Sequence, residues 1–324
     1  MMGKAWWAGV TLLLLAASAQ ADGAGRSGEA VDWLNRMERS AQGLNYGGVF
    51  TFTHDGKAET SRILHLNEGG GERGKVEALD GPPRELIREN NQIACYLPDN
   101  RLVKLDRVEG RHFFPSLLTG SPIALREFYN VTMAGIDRVA GRECQLIRME
   151  PRDNLRFGYR LCADNETGLM LRAALEDGAR GVLQQFAFTE FLAEATLAPD
   201  RLRPSWSGAG WVWDRSGLVQ EQEVSWTVSN PPAGFHKVLD LRRPADARGN
   251  VLIQQVYSDG IAAVSLFIEP ARSGAGAGAS ESRRGALSFY SNRVGDQQVT
   301  AIGEVPPAAV AQMVRTLTSL KNKP

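Results

Sequence analysis

The chain has 324 residues, with 37 Lys+Arg against 37 Asp+Glu, 43% hydrophobic residues and three cysteines. That length suits two domains of ordinary size, each able to bury a core. The balanced charge excludes a nucleic-acid binder, which needs a concentrated basic face.

The first segment reads as an address. One positive charge, Lys4, precedes an uncharged apolar stretch over residues 5–19, which ends in Ala19-Gln20-Ala21, small residues at the −3 and −1 positions of a signal peptidase site. Roughly 15 apolar residues is short for a bilayer span, which needs roughly 20. The expectation is a signal peptide over residues 1–21, with an uncleaved anchor as the alternative, and a soluble mature chain from Asp22. No cysteine follows the apolar run, so no lipid anchor is expected.

Over residues 29–41, Val31, Leu34, Met37 and Ala41 recur at helical spacing, and Gly43 closes the helix they predict. Short strand-like runs follow at residues 46–54, 60–66, 75–79, 84–88, 92–97 and 101–105. Turn compositions such as Asp55-Gly56, Asn90-Asn91 and Pro98-Asp99-Asn100 divide them. Residues 113–129 read as short helical turns, after which strands resume at 131–139, 143–149, 156–162, 169–175 and 181–192. About eleven strands form one large antiparallel sheet, and a sheet of that size must curl or close.

An odd number of cysteines in an oxidising compartment raises the question of pairing. Pro151-Arg152-Asp153-Asn154 is a turn signal, and centring it at Asp153 sets Met149 opposite Phe157 and Ile147 opposite Tyr159. The same register puts Cys144 opposite Cys162, which predicts a cross-strand disulfide with Cys95 free; three unpaired thiols remain the alternative.

Residues 198–217 carry Pro199, Pro204, Gly208, Gly210 and Gly217, the marks of a linker between a large domain (22–197) and a small one (218–322). They also hold Trp206, Trp211 and Trp213, so the linker is expected to pack against a domain, with an apolar contact offered to a partner as the alternative. Beyond it, residues 224–228, 237–242, 251–257, 262–268, 286–293 and 298–303 read as six strands, with a tight turn at Asp259-Gly260. Pro306-Pro307 starts a last helix that presents Val310, Met313, Val314, Leu317 and Leu320 on one face. The Gly/Ala-rich tract at residues 272–281 reads as a mobile loop.

Signs of catalysis are missing. There is no Gly-x-Ser-x-Gly elbow, no His-Glu-x-x-His and no phosphate loop. Gly69, Gly71 and Gly74 match Gly-x-Gly-x-x-Gly, but no helix begins after them to receive a pyrophosphate. The four histidines are scattered; His54 and His65 alone could face each other across the first hairpin as a two-ligand metal site. The expectation is a protein that is not an enzyme, with no catalytic, cofactor or metal residues.

The chain resembles the RseB/MucB family of periplasmic regulators of envelope-stress sigma factors. The resemblance runs through Trp33-Leu34, Leu44-Asn45-Tyr46-Gly47-Gly48, Arg126-Glu127-Phe128-Tyr129, Val139-Ala140-Gly141-Arg142 and Tyr159-Arg160-Leu161. It continues through Pro232-Ala233-Gly234-Phe235, the ten residues from Val256 to Ser265, and Gly303-Glu304-Val305-Pro306-Pro307. It implies an α+β, mostly β fold: a large, curved, unclosed, barrel-like sheet with helices, similar to lipoprotein carriers, plus a small α+β domain of about six antiparallel strands and a C-terminal helix.

It also implies a periplasmic location and binding of the periplasmic region of an RseA/MucA-type anti-sigma factor. That binding shields the partner from a site protease and is released by lipopolysaccharide or another acylated signal. A carrier of lipoproteins or acylated cargo is the second reading, and homo-oligomerisation is left open. Tyr46, Gly48, Phe50 and Phe52 share one strand face, so Tyr46, Phe50 and Phe52 are candidates to line a lipid pocket. Trp226, Tyr257, Phe267 and Phe289 are candidate anchors for the anti-sigma segment, either at a sheet edge or beneath an apolar helix.

Overall fold

In the computed structural model, the described residues are 18–68, 71–107, 117–193, 198–218, 225–244, 250–271 and 278–320. Residues 1–17 of the expected signal peptide and 272–277 of the Gly/Ala-rich tract lie outside them. Helix α1 (Ser18–Gly43) begins well before the expected start at residue 29. Its buried stripe is the predicted one, with Val31, Leu34, Met37 and Ala41 all in the core. It stops at Gly43, where the Leu44 amide donates to the Ser40 carbonyl. Side chains also pin it: the Arg36 guanidinium donates to the carbonyls of Asn165 and Glu166, and Ser40 Oγ to that of Thr167.

Among the described residues twelve strands form the large sheet. They are β1 (Tyr46–His54), β2 (Lys57–Glu68), β3 (Gly71–Ala78), β4 (Glu85–Glu89), β5 (Gln92–Leu97), β6 (Leu102–Arg107), β7 (Tyr129–Val139), β8 (Arg142–Pro151), β9 (Gly158–Asp164), β10 (Met170–Asp177), β11 (Gly181–Ala193) and β12 (Val212–Gly217). Their spatial order is β12-β6-β5-β4-β3-β2-β1-β11-β10-β9-β8-β7, so the two end strands do not pair and the sheet is unclosed. Its curl follows from the core. Edge strand β7 and central strand β1 both deliver side chains, Val131 and Tyr46, to the one cluster that also holds Leu34 of α1.

Two expectations about this sheet change. It is not wholly antiparallel, because β12, from the expected linker, adds to β6 in parallel, Trp213 lying beside Val103. Trp206 and Trp211 pack on Ile87, Tyr96 and Val103, so the stretch is fastened to the outer face of β4–β6. The β8–β9 register also differs. Met149 pairs with Tyr159 and Leu146 with Cys162, two residues from the expected alignment. Arg156 lies outside this ladder, in the junction described below. A shift of two keeps every side chain on its own face. Cys144 therefore lies diagonal to Cys162, and the two are disulfide-bonded with Cα atoms 5.4 Å apart. Cys95 is free.

The second sheet contains β14 (His236–Pro244), β15 (Val251–Ser258), β16 (Ala263–Pro270), β17 (Ser280–Arg284), β18 (Leu287–Val294) and β19 (Gln297–Gly303), in the order β14-β15-β16-β19-β18-β17. Six strands were expected, but their membership differs. Residues 280 and 281, assigned to the loop, begin edge strand β17, which continues to Arg284. Residues 226–228 instead form β13 (Trp226–Val228), paired with β20 (Leu317–Ser319). Side chains secure β13: the Val228 amide donates to Tyr257 Oη and Gln255 Nε2 to the Trp226 carbonyl.

Helix α2 (Pro307–Arg315) covers one face of this sheet with Val310, Met313 and Val314. It is shorter than expected, ending where Thr316 turns its hydroxyl back to the Gln312 carbonyl. Leu317 is buried from β20 rather than from the helix, and Leu320 is exposed.

Candidate functional site

The lipid-pocket candidates sit where α1 meets β1. Tyr46 has no exposed surface; its ring stacks on His65 at 4.7 Å and lies 6.5 Å from Phe191. Phe50 is buried edge-on to Phe186 at 5.2 Å and near Phe188 at 6.3 Å. Phe52 is half-buried and borders the same core. The hollow behind β1 is thus filled by the chain's own aromatics, and Tyr46 and Phe50 offer no open lining to a ligand in this arrangement.

Gly48 makes that filling possible, since a Cβ there would run into the Glu190 carbonyl and the Phe188 ring. Gly48→Ala is therefore expected to destabilise the large sheet by about 1–3 kcal/mol through overpacking, read as a lower urea midpoint.

The histidine pair of the first hairpin is not formed. His65 lies opposite Tyr46, while His54 lies opposite Lys57 at the turn. Among the described residues no group of three or more His, Cys, Asp or Glu could hold a metal.

The anchor candidates divide by face. Val264, Leu266 and Ile268 of β16 point to α2 and are fully buried. Alternation then turns Phe267 to the opposite face. On β18, Ser288 and Tyr290 are buried, which turns Phe289 the same way. Phe267 and Phe289 are half-buried there, flanking Thr300 and Ile302 of β19. Tyr257 is 3% exposed and acts as a core strut under β13; Trp226 is half-buried against the same core. Of the four, Phe267 and Phe289 alone share an accessible face away from α2.

Sequence reasoning missed the junction between the two sheets. Arg156, from the β8–β9 turn, has no exposed side chain, and neither has Asp259, from the β15–β16 turn. The Arg156 Nε donates to Asp259 Oδ2 at 2.7 Å, and its other nitrogens donate to Asp153 and the Ala233 carbonyl. Its guanidinium lies 4.7 Å from the Phe128 ring and 5.0 Å from the Phe235 ring. Asp259 Oδ1 meanwhile accepts the amides of Ile261 and Ala262, so one carboxylate shapes the turn and ties the modules.

Burial, together with the neighbouring Tyr159 and Asp259, pushes the Tyr129 phenol far above its ordinary value. It stays protonated, and its hydroxyl donates to Asp259 Oδ2 at 3.4 Å. Gly234, at φ +82°, leaves room for Phe128 where any side chain would collide. The only local hint was Asp259-Gly260, legible as a turn and silent about its distant partner.

The described residues thus define a class: a two-module β protein in which an open sheet, curled over a helix, is joined through a buried ion pair to a small α+β unit. The chain belongs to the MucB/RseB family, its N-terminal domain model matching residues 29–206 and its C-terminal domain model residues 220–318.

It is 31% identical over 304 residues to the sigma factor AlgU regulatory protein MucB of Pseudomonas aeruginosa, covering 91% of this chain and 93% of that one. It is 27% identical over 293 residues to the sigma-E factor regulatory protein RseB of Escherichia coli K12, covering 88% and 89%. Among solved structures, that of the Pseudomonas aeruginosa MucA/MucB complex matches with a TM-score of 0.73 at 27% identity, covering 90% of this chain and 99% of that one. A crystal structure of MucB matches with a TM-score of 0.62 at 26% identity, covering 90% and 98%.

Proposed function

We propose that the chain is a periplasmic, non-catalytic regulator of a sigma factor. It binds the periplasmic region of a membrane anti-sigma factor, shields that region from a site protease, and lets go when a lipid-type envelope signal arrives. The observation that carries this reading is the presence of both family modules, in order, joined by a built junction. A carrier of acylated cargo has no evident use for the second module. Export through the signal peptide at residues 1–21 belongs to the same reading, as does the disulfide, which suits an oxidising compartment. Among the described residues no helix is long and apolar enough to cross a membrane.

For the partner, Phe267 and Phe289 are the anchors: aromatic side chains on one face of a rigid sheet carry contact area at little entropic cost. The Phe267→Ala/Phe289→Ala variant is expected to bind the anti-sigma segment roughly 10–100-fold more weakly. Its circular dichroism should be unchanged, since both side chains lie outside the α2-facing core; undiminished affinity would move the contact elsewhere.

For the signal, the filled hollow supplies a reason why lipid and partner could oppose each other. An acyl chain entering beside Tyr46 and Phe50 must displace packed side chains, so it favours a rearranged state. Only such a difference in affinity between states can shift the partner equilibrium.

The test is digestion of the anti-sigma periplasmic segment by its site protease, with and without saturating mature protein, then with lipid A added. The expected result is slowed cleavage that lipid restores. Cleavage at the same rate with and without the protein would overturn the shielding role.

A further inference from the structure

The two modules meet at points of very different character. One is the Arg156–Asp259 pair, fully buried between the Phe128 and Phe235 rings. Close beside it the Thr119 amide donates to the Gly260 carbonyl at 2.8 Å. The other is the tip of the β17–β18 hairpin, which reaches the turns at the same end of the large sheet. There Arg283 lies 3.4 Å from Asp177 at the end of β10 and 5.0 Å from the Phe157 ring. Arg284 lies 3.7 Å from Asp55 in the β1–β2 turn. Ala286, in the tip itself, is 3% exposed and joins the core cluster of the large sheet. Between the two points runs a cleft of about 410 Å³, lined by Arg156 and Phe157 on one side and by Arg283, Pro306 and Pro307 on the other.

We propose that the Arg156–Asp259 pair is a fixed pin and the β17–β18 tip a releasable strap, so that the small module pivots about the pin and widens the cleft when the strap lets go. The difference in burial decides which point yields. Arg156 and Asp259 are shut away from solvent and from screening ions, and separating them strands two charges. The strap pairs touch water: Arg284 is 74% exposed and Asp55 30%, while Arg283 and Asp177 are 15% and 21% exposed. The exposed Arg284–Asp55 pair is weak and fades with salt, and the mostly buried Arg283–Asp177 pair, at 3.4 Å, is still open to water where the pin is not. Among the described residues the tip is also held by Ala286, by the Phe157 contact and by Gly285, whose backbone packs against the Asp55 carboxylate. A third pair across the modules, Arg243 with Asp106 at 3.8 Å, is also open to solvent and yields with the strap.

The test uses the mature full-length protein and the Asp55→Asn/Asp177→Asn variant, which removes the acceptor charges and keeps both turns. Asp55 sits at φ +48°, a conformation asparagine tolerates. Asp177 Oδ1 accepts the Ala179 amide, which an asparagine oxygen also does. The readout is the rate of trypsin cleavage after Arg283, normalised to a free peptide of the same sequence.

Cleavage is expected to be on the order of tenfold faster in the variant at about 50 mM NaCl. In the wild type it should accelerate as salt is raised to about 0.5 M, where ions screen exposed pairs. Exchange of the Thr119 amide, beside the pin, should be the same in both proteins. Equal cleavage rates without salt dependence would overturn the strap, and faster Thr119 exchange in the variant would overturn the division between pin and strap.

Discussion

Arg156→Ala is expected to destabilise the protein by about 3–5 kcal/mol, because it leaves the Asp259 carboxylate buried without its counter-charge. The loss reaches both modules. Asp259 Oδ2 keeps only the 3.4 Å hydroxyl of Tyr129, Asp153 and the Ala233 carbonyl lose a donor, and the Phe128 and Phe235 rings lose the plate between them. Lysine should rescue little, since one ammonium cannot reproduce a planar fork that donates in three directions and fills the gap between two rings. Removing both charges together, as Arg156→Met/Asp259→Asn, should cost less than Arg156→Ala alone, because no charge is then stranded. Urea unfolding followed by tryptophan fluorescence checks the series; a loss below about 1 kcal/mol for Arg156→Ala would mean the pair is not a structural pin.

Loss of the Cys144–Cys162 bond is the second large effect. The cross-link closes a loop with a sequence separation of 18, and loops of that size are stabilised by about 3 kcal/mol through the restricted unfolded chain. The Cys144→Ala/Cys162→Ala variant should therefore unfold its large sheet about 2–4 kcal/mol more easily. The small sheet, which contains neither cysteine, should be unaffected. Reductant should shift the wild type to the same midpoint and leave the variant where it is. A wild type indifferent to reductant would contradict this assignment.

What was legible in the amino-acid sequence was what short-range pattern controls. The stripe Val31, Leu34, Met37, Ala41 repeats on one side of a helix, and its burial follows directly. The strands of the first module are cut by turn residues, so their number came out close. What escaped depends on partners far along the chain. Strand β12 looks like linker because Gly208, Gly210 and Gly217 surround it, and only the waiting edge of β6 makes it a strand. The residues after Arg315 continue an apolar helical pattern, yet β13 captures them as β20.

The sites show the same limit. Alternation along β15 and β16 separates Tyr257 from Val256 and Phe267 from Leu266, but it does not say which face α2 covers, so Tyr257 looked as available as Phe267. The Arg156–Asp259 pair spans 103 residues, and no local signal marks it. The disulfide pairing was legible because a register error of two leaves both cysteines on one face.

The measurement that tests the central claim most directly is a calorimetric titration of the mature protein with the periplasmic segment of its own organism's anti-sigma factor, with and without lipid A. The account predicts saturable one-site binding that weakens when lipid is present. A segment that does not bind at any accessible concentration, with the protein shown to be folded, would contradict it.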